Sequence, residues 1–474
     1  MIFTSLDFAV FLAVVFVLYW FVTQDNLRLQ NLLIVVASYV FYGWWDERFL
    51  VLIAVSSFVD YGVGIQLGRT ENERKRKLLL WLSLAVNLGI LGFFKYYNFF
   101  LDNLQGVGSV LGMRLDWPTL NIILPVGISF YTLQTLSYTF DVYLRKLEPT
   151  RDIIAFFAYV SFFPQLVAGP IERATHLLPQ FFRRRTFDYD LAADGARQIV
   201  WGLFMKIVVA DNIGPYIDHS YLHPEKYNSP TLLFYSYVGV VQMYCDFAGY
   251  SNIAIGLARI FGFDLMKNFD YPLFARNIGE FWQKWHISLI TWIRDYLVTW
   301  LGGRSMWKKA RNVFLVFLLV GFWHGADWRY VIWGIVNAAL FIPLLIGPRR
   351  RYDKVIAHGR VLPSWREALA VFWTVTQFTV AGVLFRGFSL SNSLNGYTHI
   401  FDITALGWPV VPDWRYVFIL VLFGVEWWQR TEDHGLDFTR RRPRTWIRWA
   451  IYVGLVFIIL AYGGQPNDFI YFQF

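Results

Sequence analysis

Apolar runs separated by short polar stretches follow one another along the chain from Phe8 to Ala461. A membrane-spanning helix needs about 20 mostly apolar residues, because a rise of about 1.5 Å per residue then crosses a hydrocarbon core of about 30 Å. The runs with this pattern, several of them too short to cross alone, are 8–22, 31–45, 49–67, 78–97, 121–143, 195–210, 231–245, 247–263, 312–324, 328–347, 366–386, 415–428 and 446–462. The pattern predicts an all-α polytopic membrane protein with about 11–13 transmembrane or re-entrant helices.

The composition excludes an ordinary soluble protein. Of the 474 residues, 56% are hydrophobic and only 16% are charged, whereas soluble proteins are about 25% charged. No polar stretch is long enough for a soluble domain, so we expect one integral membrane domain over residues 1–474. Asp7 and the lack of a basic region before the first run indicate a retained helix rather than a signal peptide. The single cysteine, Cys245, excludes a disulfide framework and a multi-cysteine metal site.

The positive charge indicates the orientation in the membrane. The net charge is +9, but its Lys and Arg residues form short clusters between apolar runs, so we interpret the charge as topology and expect no nucleic-acid partner. The clusters are Arg69 with 74–77, then 145–151, 183–185, 308–311, 349–351 and 440–444. If all are cytoplasmic, three helices precede the first cluster and one follows the last. Both termini are then expected to be extracytoplasmic.

Two segments do not fit a simple alternation of crossings. Only one apolar run, 152–168, lies between two basic clusters, and Pro164 and Pro170 interrupt its end. The segment 285–301 contains several polar residues and also breaks the alternation. Irregular backbone at membrane depth is tolerated only where protein or a water-filled cavity covers it. We therefore expect re-entrant pieces and a cavity near the middle of the chain.

Two of the eight histidines stand in apolar surroundings. His324 lies between the apolar runs 312–323 and 328–347, and His286 lies among aromatic residues. An ionisable group within the bilayer is a functional-site hypothesis by default, and a neutral imidazole can take a proton from a hydroxyl and return it. A hydrogen bond between helices for His324, or a cavity-lining role for His286, is the structural alternative. The histidines expected to be solvated or packed are His176, His219, His223, His358, His399 and His434.

Several familiar catalytic motifs are absent from the chain. It contains no G-x-S-x-G, H-E-x-x-H, Walker A or G-x-G-x-x-G sequence, which argues against a soluble hydrolase, a metalloprotease or a nucleotide-driven pump. No metal site is expected. A transporter without covalent chemistry remains open, although such proteins tend to show inverted repeats and none is visible here.

Four segments resemble the bacterial membrane-bound O-acyltransferase (MBOAT) family, in its branch of alginate, peptidoglycan and cellulose O-acetyltransferases. They are Phe162–Ile171 (FFPQLVAGPI), Tyr244–Ser251 (YCDFAGYS) with 254–256 (AIG), Glu280–Trp300 (EFWQKWHISLITWIRDYLVTW) and Gly321–Ala326 (GFWHGA). Segments 32–45, 92–98 and 124–131 are also similar to this branch. The resemblance covers most of the chain, with a matching core at about 121–347.

The resemblance implies a helical bundle around a through-membrane tunnel, with His324 in the position of the catalytic histidine of the family and His286 in that of a second functional residue. Many relatives carry serine where this chain has Ala248, so we assign no hydroxyl-dependent role there.

The implied activity is transfer of an acyl group, most simply acetyl, from a cytoplasmic thioester to an extracytoplasmic polysaccharide such as alginate. Peptidoglycan, cellulose or teichoic acid (as D-alanyl acceptor) are the alternative acceptors. The donor is acetyl-CoA or an acyl carrier protein, with no tightly bound cofactor. The implied location is the inner membrane, in contact with membrane lipid. A separate extracytoplasmic transferase of the serine-hydrolase-like SGNH type and the polysaccharide synthesis machinery are the implied partners.

Further residues are candidates to support acyl transfer. With His324 as general base, the indole N–H of Trp323 can stabilise the oxyanion. Asp246 either orients a histidine or pairs with a Lys or Arg. The charged residues that form a donor funnel, or alternatively a snorkelling cluster at the interface, are Lys284, Arg294 and Asp295.

The chain closes with an aromatic segment in the extracytoplasmic tail expected at 464–474. Family members that work with an extracytoplasmic transferase often end in a similar Tyr-x-x-Phe motif. The resemblance therefore makes Tyr471 a candidate acyl relay. The alternative is an aromatic anchor at the membrane interface.

Overall fold

The structure is a computed structural model that describes residues 1–474 except 114, 116, 168, 304, 347–354, 412–413, 465–466, 468 and 470–474. Every regular element among the described residues is a helix. The predicted all-α class is therefore confirmed.

The chain forms two compact units. The first comprises Met1–Ala192 and Ala258–Met266, and the second comprises Ala193–Leu257 and Lys267–Gln473. Both candidate catalytic histidines, His286 and His324, belong to the second unit.

Nine α-helices build the first unit. They are α1 (Leu6–Val17), α2 (Leu27–Gly43), α3 (Leu50–Arg69), α4 (Glu73–Leu91), α5 (Tyr97–Val110), α6 (Ile128–Tyr143), α7 (Ile153–Ser161), α8 (Phe163–Leu166) and α9 (Ala174–Leu177) among the described residues. Wider π-helical turns continue α1 and α4 at Leu18–Val22 and Gly92–Tyr96, and tighter 3₁₀ turns lie at Glu47–Phe49 and Leu178–Phe182.

The remaining α-helices lie wholly or mostly in the second unit. They are α10 (Tyr189–Leu203), α11 (Asp211–Leu222), α12 (Ser229–Ile260), α13 (Ile278–Lys284), α14 (Ile287–Ile293), α15 (Thr299–Leu301), α16 (Met306–His324), α17 (Trp328–Ile346), α18 (Trp365–Arg386), α19 (Leu390–Ile400), α20 (Val417–Gln429) and α21 (Thr445–Tyr462). The π-helical turns are Phe204–Ala210 and Arg294–Val298, and the 3₁₀ turns are Pro224–Lys226, Pro272–Phe274 and Trp414–Tyr416.

Five helical segments are long and apolar enough to cross a membrane. In the described part of the chain they are Glu47–Arg69, Glu73–Val110, Trp328–Ile346, Trp365–Arg386 and Thr445–Tyr462. Shorter apolar helices are Leu6–Val22, Leu27–Gly43 and Ile153–Leu166. Seven of these eight segments overlap the predicted membrane runs, and the eighth, Ile153–Leu166, overlaps the run 152–168 that was expected to be re-entrant. Several of the other runs form helices that carry too many polar residues or are too short to qualify.

One predicted boundary is wrong. The runs 231–245 and 247–263 were expected to be separate helices, but α12 continues without a break from Ser229 to Ile260. Asp246 is the one residue between the two runs. Its carboxylate is buried against the Lys206 ammonium at 2.8 Å, and a paired charge of this kind is compatible with a continuous buried helix.

Interrupted helices occur in the two segments where proline or polar residues predicted them. In the first unit, α7 ends at Ser161 and the short α8 starts at Phe163. In the second unit, the segment 285–301 contains α14, a π-helical turn and α15 instead of one straight helix. Re-entry of these segments into the membrane, and a tunnel beside them, stay predictions.

Polar side chains join α3, α4 and α6 in the first unit. The fully buried Asp60 of α3 accepts hydrogen bonds from Ser83 Oγ (2.5 Å) and Asn87 Nδ2 (2.9 Å) of α4, and from Thr139 Oγ1 (3.1 Å) of α6. Hydrogen bonds and close packing hold membrane helices together, because lipid tails are as apolar as the side chains. This cluster therefore fixes the three helices against one another.

Candidate functional site

Two buried histidines lie side by side in the second unit. His286, between α13 and α14, is 1% exposed, and His324, the last residue of α16, is 4% exposed. They are 38 positions apart in the chain, yet their ring centroids are only 6.5 Å apart. The fold thus brings together the two histidines that the sequence singled out.

The backbone at His286 departs from helical geometry. Its φ of 46° and ψ of 49° place the residue in the left-handed region, which most residues other than glycine avoid. The extended backbone of Trp285 ends α13, and the left-handed His286 directly precedes α14. The imidazole consequently projects from a break between two short helices.

Asn268 holds the His286 ring. Asn268 Oδ1 accepts hydrogen bonds from Ser288 Oγ (2.9 Å) and from the Ser288 backbone N–H (3.3 Å), while Asn268 Nδ2 donates to Ser251 Oγ (3.1 Å). These contacts fix which end of the amide faces the ring. Asn268 Oδ1 also lies 3.1 Å from His286 Nδ1, so Nδ1 must carry the hydrogen and donate it. In the neutral ring, Nε2 is therefore the nitrogen that carries no hydrogen.

Aromatic rings surround the two imidazoles. The ring centroid of Phe247 is 4.7 Å from that of His286, and Trp323 is 5.8 Å from it. On the other side, Phe385 and Trp333 pack edge-on against His324 at 4.9 and 5.4 Å. Such walls exclude water, which strengthens every electrostatic interaction inside the site.

Close contact between α16 and α17 sets the position of His324. A Cβ atom on Gly321 would strike the carbonyl oxygen of Tyr330, and one on Gly334 would strike that of Phe317. Small residues allow two membrane helices to approach this closely. His324 lies three residues beyond Gly321, so this contact anchors the end of the helix that carries it.

Asp246 takes part in a buried charge cluster. Lys206 Nζ lies 2.8 Å from Asp246 Oδ1 and 2.7 Å from Asp211 Oδ1, and all three side chains are at most 3% exposed. Lys206 Nζ also donates to the backbone oxygen of Asn467 (3.0 Å). Of the two roles considered for Asp246, pairing with a lysine is the one that the geometry shows.

Described residues near the end of the chain lie close to the site. Phe469 is 2% exposed and stacks on Tyr250, with ring centroids 4.6 Å apart. It also contacts Phe247 at 5.7 Å, whose ring packs against His286. Tyr471 lies outside the described residues, so the acyl relay stays a prediction.

The three residues expected to form a donor funnel fall into two separate ion pairs. Lys284 Nζ lies 3.4 Å from Glu280 Oε1, and Arg294 Nε lies 2.8 Å from Asp295 Oδ1. The Arg294 side chain is 65% exposed, whereas that of Lys284 is 13% exposed. The funnel itself stays a prediction.

Sequence reasoning missed the residues that orient His286. Ser251 and Ser288 stand inside the segments that resemble the MBOAT family, but Asn268 lies in the connection after α12 and carries no local motif. Among the described residues, no group of three or more His, Cys, Asp or Glu side chains could hold a metal ion. The site as described consists of two imidazoles, their aromatic walls and one amide clamp.

Comparison with known proteins places this arrangement in a family. The model of the MBOAT, membrane-bound O-acyltransferase family, matches residues 147–352, the part of the chain that contains both histidines. The chain is 40% identical over 311 residues to the probable alginate O-acetylase AlgI of Azotobacter vinelandii, covering 65% of this chain and 62% of that protein. It is also 40% identical over 338 residues to the probable alginate O-acetylase AlgI of Pseudomonas aeruginosa, covering 70% and 64%.

A peptidoglycan O-acetyltransferase of Helicobacter pylori is 33% identical over 404 residues, covering 78% of this chain and 73% of that protein. The chain thus spans less than two thirds of the two alginate O-acetylases and a larger part of the peptidoglycan enzyme. With several apolar helices and this extent of similarity, the chain is a multi-pass membrane protein that belongs to the membrane-bound O-acyltransferase family.

Proposed function

We propose that this protein is a membrane O-acyltransferase of the inner membrane. It moves an acyl group, most simply acetyl, from a cytoplasmic thioester donor for O-acetylation of an extracytoplasmic polysaccharide such as alginate. The observation that carries the proposal is the pair of buried imidazoles 6.5 Å apart. The 40% identity to two alginate O-acetylases supports the choice of acceptor.

The chemistry assigned to the pair is acyl transfer to a hydroxyl. His324 takes the hydroxyl proton while the oxygen attacks the thioester carbonyl. A C–O bond forms, the C–S bond breaks, and the proton passes from His324 to the leaving thiolate. In this scheme His286, held in one tautomer by Asn268, orients the reacting group, and the indole N–H of Trp323 donates to the oxyanion.

The proposal also names a donor and a partner for this reaction. Acetyl-CoA or an acyl carrier protein supplies the thioester, with Lys284, Arg294 and Asp295 at the donor side. Tyr471 receives the acyl group and passes it to a separate serine-hydrolase-like SGNH-type transferase, which acylates the polymer together with the synthesis machinery. Phe469 supports this role for the tail, because it packs two residues before Tyr471 against rings that line the site.

Peptidoglycan is the second candidate acceptor. The peptidoglycan O-acetyltransferase of Helicobacter pylori is covered over 73% of its length, more than either alginate relative. Alginate and peptidoglycan fragments offered separately to membranes that contain the protein and its partner distinguish the two acceptors.

The test of the proposal uses purified protein in proteoliposomes with a radiolabelled acetyl thioester. His324→Ala should lower the rate of thiol release by about 10²–10⁴-fold, the usual contribution of a general base. His219→Ala, at the solvent-facing Tyr227 contact, is the matched control and should keep the wild-type rate. Retention of more than about a tenth of the wild-type rate by a correctly folded His324→Ala protein contradicts the base role.

The Tyr471→Phe variant tests the relay. It retains the ring and loses only the hydroxyl, so it should still load the tunnel with donor but lose acetylation of the glycan. Wild-type glycan acetylation by this variant contradicts the relay.

Passage of labelled substrate across the membrane without covalent transfer would favour a transporter instead.

A further inference from the structure

A cavity of about 670 Å³ lies in the first unit, apart from the histidine site. Its walls come from the end of α3, the connection to α4, and the segment that follows α6. The volume is within the range of about 300–1,000 Å³ that is usual for small-molecule sites. Nothing in the acyl-transfer scheme uses this cavity.

The cavity lies at the membrane–water boundary. One candidate span ends at Arg69 and the next begins at Glu73, and the cavity surrounds this connection. Its lining also includes Ile65 and Leu67, and Ile65 lies four residues, or about 6 Å, deeper along α3 than Arg69. The wall is therefore apolar on the membrane side and polar at the mouth, which suits an amphiphile.

The lining carries an excess of positive charge. Five cationic side chains, those of Arg69, Arg76, Arg145, Lys146 and Arg151, face two carboxylates, those of Glu71 and Glu148.

Two of the cations are left for a ligand. Arg145 pairs with Glu71 at 2.5 Å. The exposed side chains of Arg69 and Arg151 take part in no hydrogen bond or ion pair among the described residues. These two guanidinium groups line the same cavity.

The walls are preformed. Arg76 is 4% exposed, and its guanidinium donates to the backbone oxygens of Leu67 (2.6 Å) and Tyr143 (2.8 Å), which ties α3 to the end of α6. The Tyr61 hydroxyl donates to the Arg151 backbone oxygen (2.7 Å), and the Thr150 N–H donates to the Tyr138 hydroxyl (3.2 Å). A ligand therefore meets a fixed frame and has little backbone to order.

We propose that this cavity binds the phosphate headgroup of an anionic phospholipid, with Arg69 and Arg151 contacting the phosphate and the apolar wall receiving the start of the acyl chains. Basic pockets between membrane helices at headgroup level are suited to such lipids. Arginine presents a planar fork of donors that matches the oxygens of a phosphate. A phosphate-bearing acyl donor has the same chemistry at its phosphates, so the test must separate the two sources.

The experiment measures phosphatidylglycerol binding to the full-length protein in phosphatidylcholine nanodiscs, by native mass spectrometry and by the rise in Tm. Each guanidinium that donates directly to the phosphate contributes about fivefold in affinity, so Arg69→Gln with Arg151→Gln should weaken binding about 30-fold. The matched control is Arg74→Gln with Lys75→Gln, which removes two exposed charges from the first turn of α4, outside the cavity lining. The control should weaken binding by less than about threefold.

Three outcomes overturn the proposal. Equal losses of phosphatidylglycerol affinity in the two double variants would mean that the general positive charge of this surface, and not the cavity, attracts the lipid. Wild-type binding by the cavity variant would remove the cavity from lipid recognition. The third outcome concerns coenzyme A, measured in nanodiscs of the same lipid composition. If coenzyme A raises the Tm of wild type but not of the cavity variant, while the cavity variant still binds phosphatidylglycerol, the cavity binds the donor.

A further variant controls for misfolding. Arg69→Lys with Arg151→Lys keeps both charges and should retain most of the phosphatidylglycerol binding, because a point charge still attracts phosphate. Loss of binding in this variant together with a normal elution volume in gel filtration would contradict a charge-based site.

Discussion

The orientation of His286 depends on one amide. Asn268 fixes the hydrogen on His286 Nδ1 through a bond of 3.1 Å, and its own orientation is fixed by Ser251 and Ser288. Removal of the amide frees the ring to rotate and to change tautomer. A substitution at Asn268 therefore tests the orientation of the His286 ring while the imidazole itself is retained.

We expect Asn268→Ala to lower acyl transfer by about 10²-fold, the usual cost of a misplaced reacting group. The loss should fall mainly on kcat, since the residues proposed to contact the donor are unchanged. Asn312→Ala is the control: Asn312 is also largely buried, but it lies 12 residues before His324 on α16, about 18 Å away along the helix. A rate in Asn268→Ala equal to that of the control would contradict the positioning role.

A second residue-scale prediction concerns pH. The Asp264 and Glu172 carboxylates beside His176 raise the pKa of its imidazole to about 10. A raised histidine pKa means that the contact stabilises the fold fully below the unfolded pKa of about 6.5. That stability should be lost as pH rises through about 10, when the folded imidazole loses its proton.

The measurement is the Tm of wild type and His176→Gln between pH 6 and 10.5, at about half-unit steps. Wild type should be the more stable at pH 6–7, and the difference should shrink toward the alkaline end. His399→Gln, which removes a partly exposed imidazole that contacts the backbone oxygen of Asn395, is the control for loss of a surface histidine. Parallel pH profiles for wild type and His176→Gln would contradict the prediction.

The functional role of some single residues can be predicted from the sequence alone, and that of others cannot. His286 and His324 were predicted because an ionisable side chain in apolar surroundings is costly and therefore conspicuous. Asn268 was not, since an asparagine in a polar connection has many ordinary explanations. Its role arises only because the fold returns it to a histidine 18 positions later.

At the scale of helices, the contact between α16 and α17 determines where His324 stands. Gly334→Ala should separate the two helices, because the new Cβ would strike the Phe317 carbonyl oxygen. We expect a loss of stability of about 1–3 kcal/mol from overpacking, together with reduced acyl transfer. Thermal unfolding and the radiolabel assay measure the two effects.

Gly424→Ala is the matched control for this substitution. Gly424 lies within α20, and a Cβ there would meet no atom within 4 Å. Alanine is the better helix former by about 1 kcal/mol, so this variant should be as stable as wild type or slightly more stable. A Gly334→Ala protein that behaves like the control would show that the helix contact is not tight.

Helix boundaries were predicted well where composition alone decides them. The runs 328–347 and 366–386 nearly coincide with α17 and α18, because lipid-facing helices must be apolar throughout. The boundary at Asp246 failed because the partner of a buried charge is set by tertiary structure. Lys206 precedes Asp246 by 40 positions, and no local pattern connects them.

At the scale of the whole molecule, the orientation in the membrane remains to be measured. Cys245 is fully buried, and its replacement by serine leaves a background free of cysteine. In that background, Lys75→Cys should label only after permeabilisation, because its cluster is expected in the cytoplasm. Asn72 is a poorer labelling site, since its side chain caps α4.

The external control for this measurement is Glu47→Cys. Glu47 is exposed and lies between the second and third predicted helices, so it should label with an impermeant reagent in intact cells. The reverse pattern, with residue 75 labelled and residue 47 protected, would invert the orientation and with it the proposed direction of acyl transport.

The left-handed backbone of His286 also has an evolutionary consequence. A side chain in that region costs about 1 kcal/mol; glycine would remove this cost but would leave a cavity among the aromatic rings, which costs about 2–5 kcal/mol. A laboratory selection for heat resistance alone would thus disfavour glycine and would accept asparagine, which tolerates this backbone region, in place of the imidazole. Selection in a cell that depends on the acylated polymer would keep the histidine, so comparing the two evolved populations would reveal what position 286 is retained for.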